Sequence, residues 1–387
     1  MIQILCMDRD KLVGLAQDLI KVRSTNPPGN EKEVADILKK RLEAIGMKVE
    51  YFEEAYGRPN ILATWDGGEG KTVVLQGHMD TVPAKKDYWK HDPFSGVVED
   101  GKIYGRGATD MKGPLASMVN AIESLKEEGF EPKGKIMFLG CVNEETGDSD
   151  EIGMRLMAPK MKERFDNGLM IIGDVSNLDV VTAEKGALWL EFISKGKEAH
   201  GSTPWEGVNA IEKLGKFLVD LNNAKLPIKH VMLGESTISI NTIFGGMKTN
   251  VVPGEARASV DIRLVPGQDK EEVLGIIRNL IKNLQEEDPE VDIEFTEEVY
   301  EPAVEIDQKQ DFIPILLECI KARGRAGKLK AEHGATGSGN FIREGIPTVV
   351  FGPGNPDQAH ITDEFVEIKD LEDASLIYQD FIKKYLG

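Results

Sequence analysis

Gly77-His78-Met79-Asp80-Thr81-Val82-Pro83 follows the apolar run Val73-Val74-Leu75, and the interpretation of this chain starts from that stretch. The apolar run predicts a buried β-strand, in which side chains two positions apart point to the same side of the sheet. His78 and Asp80 therefore face the same side at the end of the strand. Such a pair suits a metal ligand and a group that holds its imidazole in one tautomer. The interpretation of this pair as part of a metal site becomes stronger if acidic and histidine side chains recur at other strand ends.

Length and charge limit the class of protein. With 387 residues the chain exceeds the usual size of one hydrophobic core, so two domains are expected. The formal net charge of −19 argues against nucleic acids and anionic membranes, because both attract proteins of the opposite charge. We therefore expect neither a nucleic-acid partner nor a membrane partner.

Cysteine usage and the N-terminus are typical of a cytoplasmic enzyme. Cys6, Cys141 and Cys319 are widely spaced and odd in number, so they form neither a disulfide framework nor a thiolate zinc site. Residues 1–10 lack the basic start and long apolar block of a signal peptide. No apolar stretch reaches the roughly 18 residues of a membrane span. A cytoplasmic location is the expectation.

Strand and helix patterns alternate through the first half of the chain. Ile136–Val142 and Leu169–Ile172 are nearly continuous apolar runs, as in strands covered on both faces. Amphipathic helices are predicted over residues 11–22, 31–46 and 115–125. This alternation predicts an α/β catalytic domain with a mostly parallel sheet, whose first part we place at residues 1–184.

The pattern changes near Lys185. Alternating, half-exposed strands are predicted at residues 188–193, 236–243 and 257–263, with two amphipathic helices among them. A β-α-β-β-α-β order of this kind predicts a separate, ferredoxin-like α+β domain. We place this inserted domain at residues 185–297 and the second part of the catalytic domain at residues 298–387.

Five loops that follow buried strands or turns carry acidic or histidine side chains. Ligands of open α/β sheets bind outside the carboxyl ends of the strands, so these loops are candidates for one site. The candidates are His78 with Asp80, Asp110 in a glycine-rich loop, Glu144 with Glu145, Asp174, and His360. Two imidazoles and three carboxylates can hold two divalent ions that share one carboxylate. Nitrogen and oxygen ligands without thiolate favour zinc, with cobalt or manganese as alternatives.

Each candidate also has a simpler interpretation when taken alone. A pair such as Glu144-Glu145 is ordinarily a solvated surface, and a buried histidine is more often a satisfied core residue than a ligand. Asp110 could equally cap the helix that follows it. Joint occurrence at successive strand ends favours the metal site, and the glutamate that is not a ligand then has a use as general base.

Three motifs stand out in the chain: Gly77–Pro83, Gly105-Arg106-Gly107-Ala108-Thr109-Asp110-Met111-Lys112-Gly113 and Asn143-Glu144-Glu145-Thr146-Gly147. Through them the chain resembles the acetylornithine deacetylase, succinyl-diaminopimelate desuccinylase and carboxypeptidase G metallopeptidase family. The resemblance extends over essentially the whole chain, in order. It implies a zinc-exopeptidase-type catalytic domain with two Zn²⁺ ions and an inserted lid that commonly forms the dimer interface.

The resemblance implies a role for each candidate residue of the catalytic domain. One ion would be bound by His78 and Asp174, the other by Glu145 and His360, with Asp110 as the bridge. Asp80 would orient His78, and Glu144 would be the general base. The resemblance also implies a cis peptide between Asp110 and Met111, which is rare outside proline.

Three further matches to the family lie in the inserted domain. His200, in Gly196–Pro204, would be donated across a homodimer and would help to stabilise the oxyanion of the tetrahedral intermediate. Asn250 and Arg263 match substrate-binding positions, and a guanidinium suits bidentate binding of a carboxylate. From the residues alone, His200 is a surface histidine and Arg263 a charge at a strand end.

The chain departs from the family pattern at two places that concern the substrate. Asp174 stands where many deacylases and carboxypeptidases of the family have glutamate, and aspartate is more typical of the di- and tripeptidases. Ser338 and Asn340 stand where desuccinylase-like members tend to have an acidic residue and an arginine. The aspartate at position 174 favours peptide substrates, and the residues at positions 338 and 340 argue against a desuccinylase in particular.

We expect a di-zinc metallohydrolase that cleaves the amide bond of small N-acyl amino acids through attack of metal-bridged water. A dipeptidase or carboxypeptidase of the same family, acting on short peptides, is the alternative within the enzyme class. A non-catalytic, metal-dependent amino-acid-binding protein is the alternative from another class. That last hypothesis predicts loss of a ligand or of the base, yet Glu144 and all five candidate ligands are present.

Overall fold

The computed structural model describes residues 8–146 and 151–387, which form two compact units. Cys6 and Gly147 lie outside the described residues. The first unit contains the described residues up to Thr182 together with Ile306–Lys330 and Thr336–Gly387. The second unit contains Ala183–Glu305 and Ala331–Ala335. The domain boundaries expected from the sequence, at residues 184 and 297, stay a prediction.

The helices are amphipathic or buried segments of six to nineteen residues. In chain order they are α1 (Arg9–Lys21), α2 (Lys32–Ala44), α3 (Lys112–Glu127), α4 (Met154–Lys162), α5 (Ala210–Asn222), α6 (Lys270–Glu287), α7 (Phe312–Ala322), α8 (Ser338–Arg343) and α9 (Ile368–Leu386). Among the helices of residues 8–146 and 151–387, none combines the length and the apolar content needed to cross a bilayer.

The strands alternate with these helices. In chain order they are β1 (Lys48–Glu53), β2 (Pro59–Asp66), β3 (Lys71–His78), β4 (Val97–Glu99), β5 (Lys102–Tyr104), β6 (Gly134–Cys141), β7 (Gly168–Ile172), β8 (Val180–Glu184), β9 (Gly186–Lys195), β10 (Ala199–His200), β11 (Lys229–His230), β12 (Gly234–Glu235), β13 (Thr237–Gly245), β14 (Val251–Val252), β15 (Glu255–Leu264), β16 (Asp292–Glu301), β17 (Val304–Glu305), β18 (Leu329–Glu332), β19 (Thr348–Val350) and β20 (Phe365–Glu367).

A central sheet organises the first unit, with the strand order β1-β2-β6-β3-β7-β19-β8. The four strands β6, β3, β7 and β19 are mutually parallel, and antiparallel strands flank them. Parallel strands require crossover connections, which here contain helices such as α3 between β3 and β6. The predicted α/β class with a largely parallel central sheet is confirmed.

Apolar side chains cover both faces of this sheet, which explains the nearly continuous apolar runs in the sequence. Val73 and Leu75 of β3 pack into a core with α1, α2, α3, α7 and α9. Val74 points to the opposite face, where it packs with Met157 of α4 and Phe341 of α8. Alternation along a strand requires apolar residues at every position when helices cover both sides.

The second unit is an α+β fold, as predicted. Its four-stranded sheet has the order β13-β15-β9-β16, and all three pairings are antiparallel. Leu188, Leu190 and Phe192 of β9 are buried against α5 and α6, whereas Trp189 and Glu191 between them are partly exposed. One covered face and one open face give the alternating pattern seen in the sequence.

Candidate metal centre

The candidate residues of the first unit meet at one edge of the central sheet. β3 ends at His78, β6 at Cys141 and β7 at Ile172, and the parallel direction brings these ends together. Glu144 and Glu145 follow β6, and Asp174 follows β7. This is the edge at which open α/β sheets place their ligands.

His78 is held from several sides and is 1% exposed. Its Nε2 lies 2.9 Å from Oδ1 of Asp110, and its backbone N–H donates to the Met111 sulfur at 3.1 Å. The sulfur reaches this position because residue 77 is glycine: a Cβ there would lie 2.5 Å from Cε of Met111. Gly77 therefore permits the close packing that fixes the backbone of His78.

Asp110 lies between the two candidate histidines. One carboxylate oxygen contacts Nε2 of His78, and the other lies 3.3 Å from Nε2 of His360. Nε2 of His360 also lies 2.9 Å from Oε2 of Glu145. The Asp110–Met111 peptide is cis, as the resemblance implied. A carboxylate that faces one imidazole with each oxygen has the arrangement of a bridging ligand.

Asp80 contacts more groups than its predicted role of orienting His78 requires. It follows the end of β3, and its backbone carbonyl lies 3.0 Å from Nδ1 of His78, closer than its carboxylate at 3.4 Å. The carboxylate accepts the backbone N–H groups of Glu144 at 3.2 Å and Glu145 at 3.1 Å. It also accepts an N–H of the Asn26 side chain at 2.8 Å. Asp80 thus fixes both the imidazole of His78 and the loop that carries the two glutamates.

The site concentrates negative charge away from water. Burial raises the pKa of Asp174 to about 7 and raises the pKa of Glu144 well above its usual range. Hydrogen bonds from the two imidazoles, opposed by burial, hold the pKa of Asp110 below its usual value. The carboxylates of Asp110, Glu144, Glu145 and Asp174 outnumber the two imidazoles, and negative charge that is largely buried calls for additional positive charge.

The donor set fits divalent metal ions. Ligand atoms of His78, Asp110 and Glu145 all lie within 4.8 Å of one another, and His360 contacts two of these residues. Asp174 lies outside this tightest group, and its Oδ1 accepts the N–H of Val175 at 2.7 Å. Imidazole nitrogens and carboxylate oxygens without thiolate are ligands for zinc, cobalt or manganese.

His200, Asn250 and Arg263 are the candidate residues of the second unit. His200 is exposed in β10, which pairs with β14, and Asn250 directly precedes β14. The N–H of Gly201 donates to the carbonyl of Asn250 at 2.8 Å, so these two loops lie side by side. Arg263 is half-buried near the end of β15, with its Nε 2.9 Å from Asp261.

Several residues that support the metal-site loops were not predicted from the sequence. Asn26 joins Asp80 to Asn143, because its amide group donates to the side-chain oxygens of both. Glu364 is fully buried and bonds to Arg106 and to the backbone of the Asp110 loop. A glutamate four residues after His360 is the sequence signal for Glu364, and it has no specificity by itself.

Known proteins are similar to this chain over nearly its full length. The chain is 30% identical over 409 residues to an uncharacterized metallohydrolase of Methanocaldococcus jannaschii, covering 97% of this chain and 99% of that protein. It is 29% identical to a probable succinyl-diaminopimelate desuccinylase of Staphylococcus aureus, covering 97% of each.

Two solved structures share the fold. A tripeptidase from Staphylococcus aureus superposes with a TM-score of 0.80 at 25% identity, covering 98% of this chain and 99% of that one. A dinuclear metal-binding peptidase from Bacillus subtilis superposes with a TM-score of 0.72 at 18% identity, covering 98% of each.

The sequence model of a protein family also matches this chain. The model of peptidase family M20/M25/M40 matches residues 74–384, which include every candidate site residue of both units. The family is one of metal-dependent hydrolases of amide and peptide bonds, in agreement with the metallohydrolase and desuccinylase relatives. The chain belongs to peptidase family M20/M25/M40.

Proposed function

We propose that the chain is a two-metal amidohydrolase that removes the acyl group from small N-acyl amino acids. The observation that carries this proposal is the position of Asp110, with one oxygen at each imidazole of the site. His78 and Asp174 would hold one ion, and Glu145 and His360 the other. Two Zn²⁺ ions suit this donor set, with Co²⁺ or Mn²⁺ as substitutes.

The proposed chemistry divides between the ions and the chain. When bound, the ions would polarise the substrate carbonyl and lower the pKa of water. Glu144 accepts the proton of the attacking water and later donates it to the amide nitrogen of the leaving amino acid. Burial raises the pKa of Glu144, and a carboxylate with a higher pKa binds the transferred proton more strongly. The hydrogen bond from its backbone N–H to Asp80 anchors the loop on which the base lies.

The second unit would supply substrate-binding groups. We propose that His200 donates a hydrogen bond to the developing oxyanion and that Asn250 and Arg263 bind the polar groups of the substrate. Such donors act best where charge develops in the transition state. The guanidinium of Arg263 matches a substrate carboxylate, which N-acyl amino acids and peptides share.

A homodimer is part of the proposal. β13 is the edge strand of its sheet and carries Ile243 and Phe244, which are 54% and 70% exposed. Met247, beyond the strand, is 97% exposed. An edge strand presents backbone hydrogen-bonding groups to a second chain, and exposed apolar side chains mark interfaces. Light scattering after gel filtration is expected to give twice the chain mass, and Phe244→Glu is expected to shift the mass toward one chain. A monomeric wild-type protein would rule out the homodimer.

A short-peptide hydrolase of the same family is the second candidate. Aspartate at position 174 favours it, because the di- and tripeptidases typically have aspartate at this position. One of the similar solved structures is a tripeptidase. The cytoplasmic location expected from the sequence stays a prediction for both candidates.

A substrate panel tests the proposal. Purified protein is incubated with N-acetyl amino acids, N-succinyl amino acids, dipeptides and tripeptides, with Zn²⁺ or Co²⁺ and with or without chelator. The proposal expects the highest kcat/KM on an N-acyl amino acid and loss of that activity with chelator. Preference for a di- or tripeptide would replace the deacylase by the peptidase. Binding of amino acids without hydrolysis of any panel member would point to the non-catalytic protein.

A further inference from the structure

Glu364 lies between the two loops that carry Asp110 and His360. It is 0% exposed, four residues after His360 and directly before β20. β20 pairs with β5, and the glycine-rich loop of Asp110 begins directly after β5. Glu364 is therefore in the first unit, and its side chain reaches the loop from the strand next to it.

The carboxylate of Glu364 is shared between two sets of donors. Oε1 accepts two consecutive backbone N–H groups, from Thr109 at 2.9 Å and from Asp110 at 3.1 Å. Oε2 accepts from Nη1 of Arg106 at 2.5 Å, and Arg106 is itself 4% exposed. Hydrogen bonds to a charged acceptor are about twice as strong as neutral ones. The backbone of Asp110 is thus held by a buried carboxyl group.

Main-chain contacts complete the attachment of this loop. The N–H of Gly105 donates to the carbonyl of Glu364 at 3.0 Å, and the hydroxyl of Thr109 donates to the carbonyl of Phe365 at 2.6 Å. The loop therefore bonds to residues 364 and 365 at both of its ends. Its backbone cannot rotate without breaking several of these bonds together.

We infer that Glu364, held by Arg106, is a positioning residue that fixes the bridging carboxylate of Asp110 between His78 and His360. It touches neither imidazole and acts through the backbone of Asp110. The inference rests on the proposed function, because it concerns the metal centre of that function. Groups that orient ligands typically contribute 10–100-fold to metal affinity.

The substitution Glu364→Gln separates a positioning role of Glu364 from its role in packing. Glutamine has the size of glutamate but only one acceptor oxygen, so either Arg106 or the two backbone N–H groups lose their partner. Glu123→Gln is the matched control: Glu123 is 5% exposed and binds Arg41 through two bonds of 2.7 and 2.6 Å. Glu123 lies on α3, roughly 16 Å along the helix axis from the first residue of α3. The control therefore changes a buried ion pair away from the loop of Asp110.

The experiment titrates Co²⁺ into the chelator-treated full chain and follows the visible cobalt spectrum and the heat of binding, without substrate. We expect Glu364→Gln to bind Co²⁺ 10–100-fold more weakly with an altered spectrum, and Glu123→Gln to bind within twofold of wild type. Equal binding by Glu364→Gln and wild type, or equal weakening by both variants, would overturn the inference. If the wild-type chain binds no Co²⁺, the proposed function itself fails.

Hydrogen exchange of the metal-free wild-type chain supplies a measurement that needs no variant. The amides of Thr109 and Asp110 should exchange slowly, as amides bonded to a buried carboxylate do. Exchange at the rate of an exposed loop would contradict the inference even if Glu364→Gln failed to fold.

Discussion

The carboxylate of Asp80 accepts the backbone N–H of Glu145 at 3.1 Å, so the residue expected to orient a histidine also fixes a neighbouring loop. The same carboxylate accepts the N–H of Glu144. Asp80 therefore couples the end of β3 to the loop after β6, and the geometry of the metal site depends on both strands. Its burial makes each of these bonds costly to lose.

Asp80→Asn tests this coupling. Asparagine has one acceptor oxygen where Asp80 uses two for Glu144, Glu145 and Asn26, so at least one donor loses its partner. We expect metal affinity to fall by about 10–100-fold and kcat to fall with it. Metal titration and steady-state kinetics check the result. Wild-type affinity in Asp80→Asn would show that the loop does not depend on this carboxylate.

Glu144→Ala tests the proposed base. We expect the variant to keep its metal ions, because Glu144 is not a proposed ligand, and to lose about 10²–10⁴-fold in kcat. Metal analysis and kinetics on the best panel substrate measure the two effects separately. Activity near that of wild type would eliminate Glu144 as the base.

His200→Ala tests the contribution of the second unit. Its exposed side chain accepts the backbone N–H of Ser202 and lies far in sequence from the proposed ligands, so metal content should not change. Loss of one oxyanion donor lowers kcat by about 10²–10³-fold. The decisive comparison is kcat against metal content, and an unchanged kcat would refute the assigned role.

Lys112 gives a prediction about pH and stability. Its side chain is fully buried and donates to the carbonyl of Val22 at 2.6 Å, and burial lowers its pKa from 10.5 to about 7. Between pH 7 and 10.5 Lys112 is therefore mostly protonated in the unfolded chain and mostly neutral in the folded chain. The contribution of Lys112 to stability consequently rises with pH. This contribution changes by up to about 1.4 kcal/mol per pH unit for one group.

Urea unfolding at pH 7.5 and 9 measures this effect in wild type and Lys112→Met. We expect the free energy of unfolding of the variant, relative to wild type, to fall as pH rises. The stability of Lys112→Met relative to wild type should therefore be greater at pH 7.5 than at pH 9. A difference that does not depend on pH would contradict the lowered pKa.

Local patterns were sufficient to predict much of the fold. The continuous apolar run of β3 and the apolar spacing of α5 and α6 each reflect a burial pattern that the structure contains. Short strands such as β4, β5 and β20 were not predicted, because three residues carry no readable period. α9 was also missed, although it is nineteen residues long and packs into the main core.

The residues that support the site could not be predicted from the sequence, for a different reason. Arg106 and Glu364 are 258 positions apart, and Asn26 and Asn143 are 117 apart. Such pairs have no periodicity and no local composition, and only the folded chain brings them together. The proposed ligands could be selected from the sequence because strand ends converge, whereas the groups that hold them depend on loop geometry.

The measurement that tests the central claim most directly is the metal content of the purified chain together with its amide hydrolysis, before and after chelation. The account predicts two divalent ions per chain, loss of hydrolysis when they are removed, and its return on addition of Zn²⁺ or Co²⁺. Hydrolysis that persists after complete removal of metal, or a chain that binds no divalent ion, would contradict it.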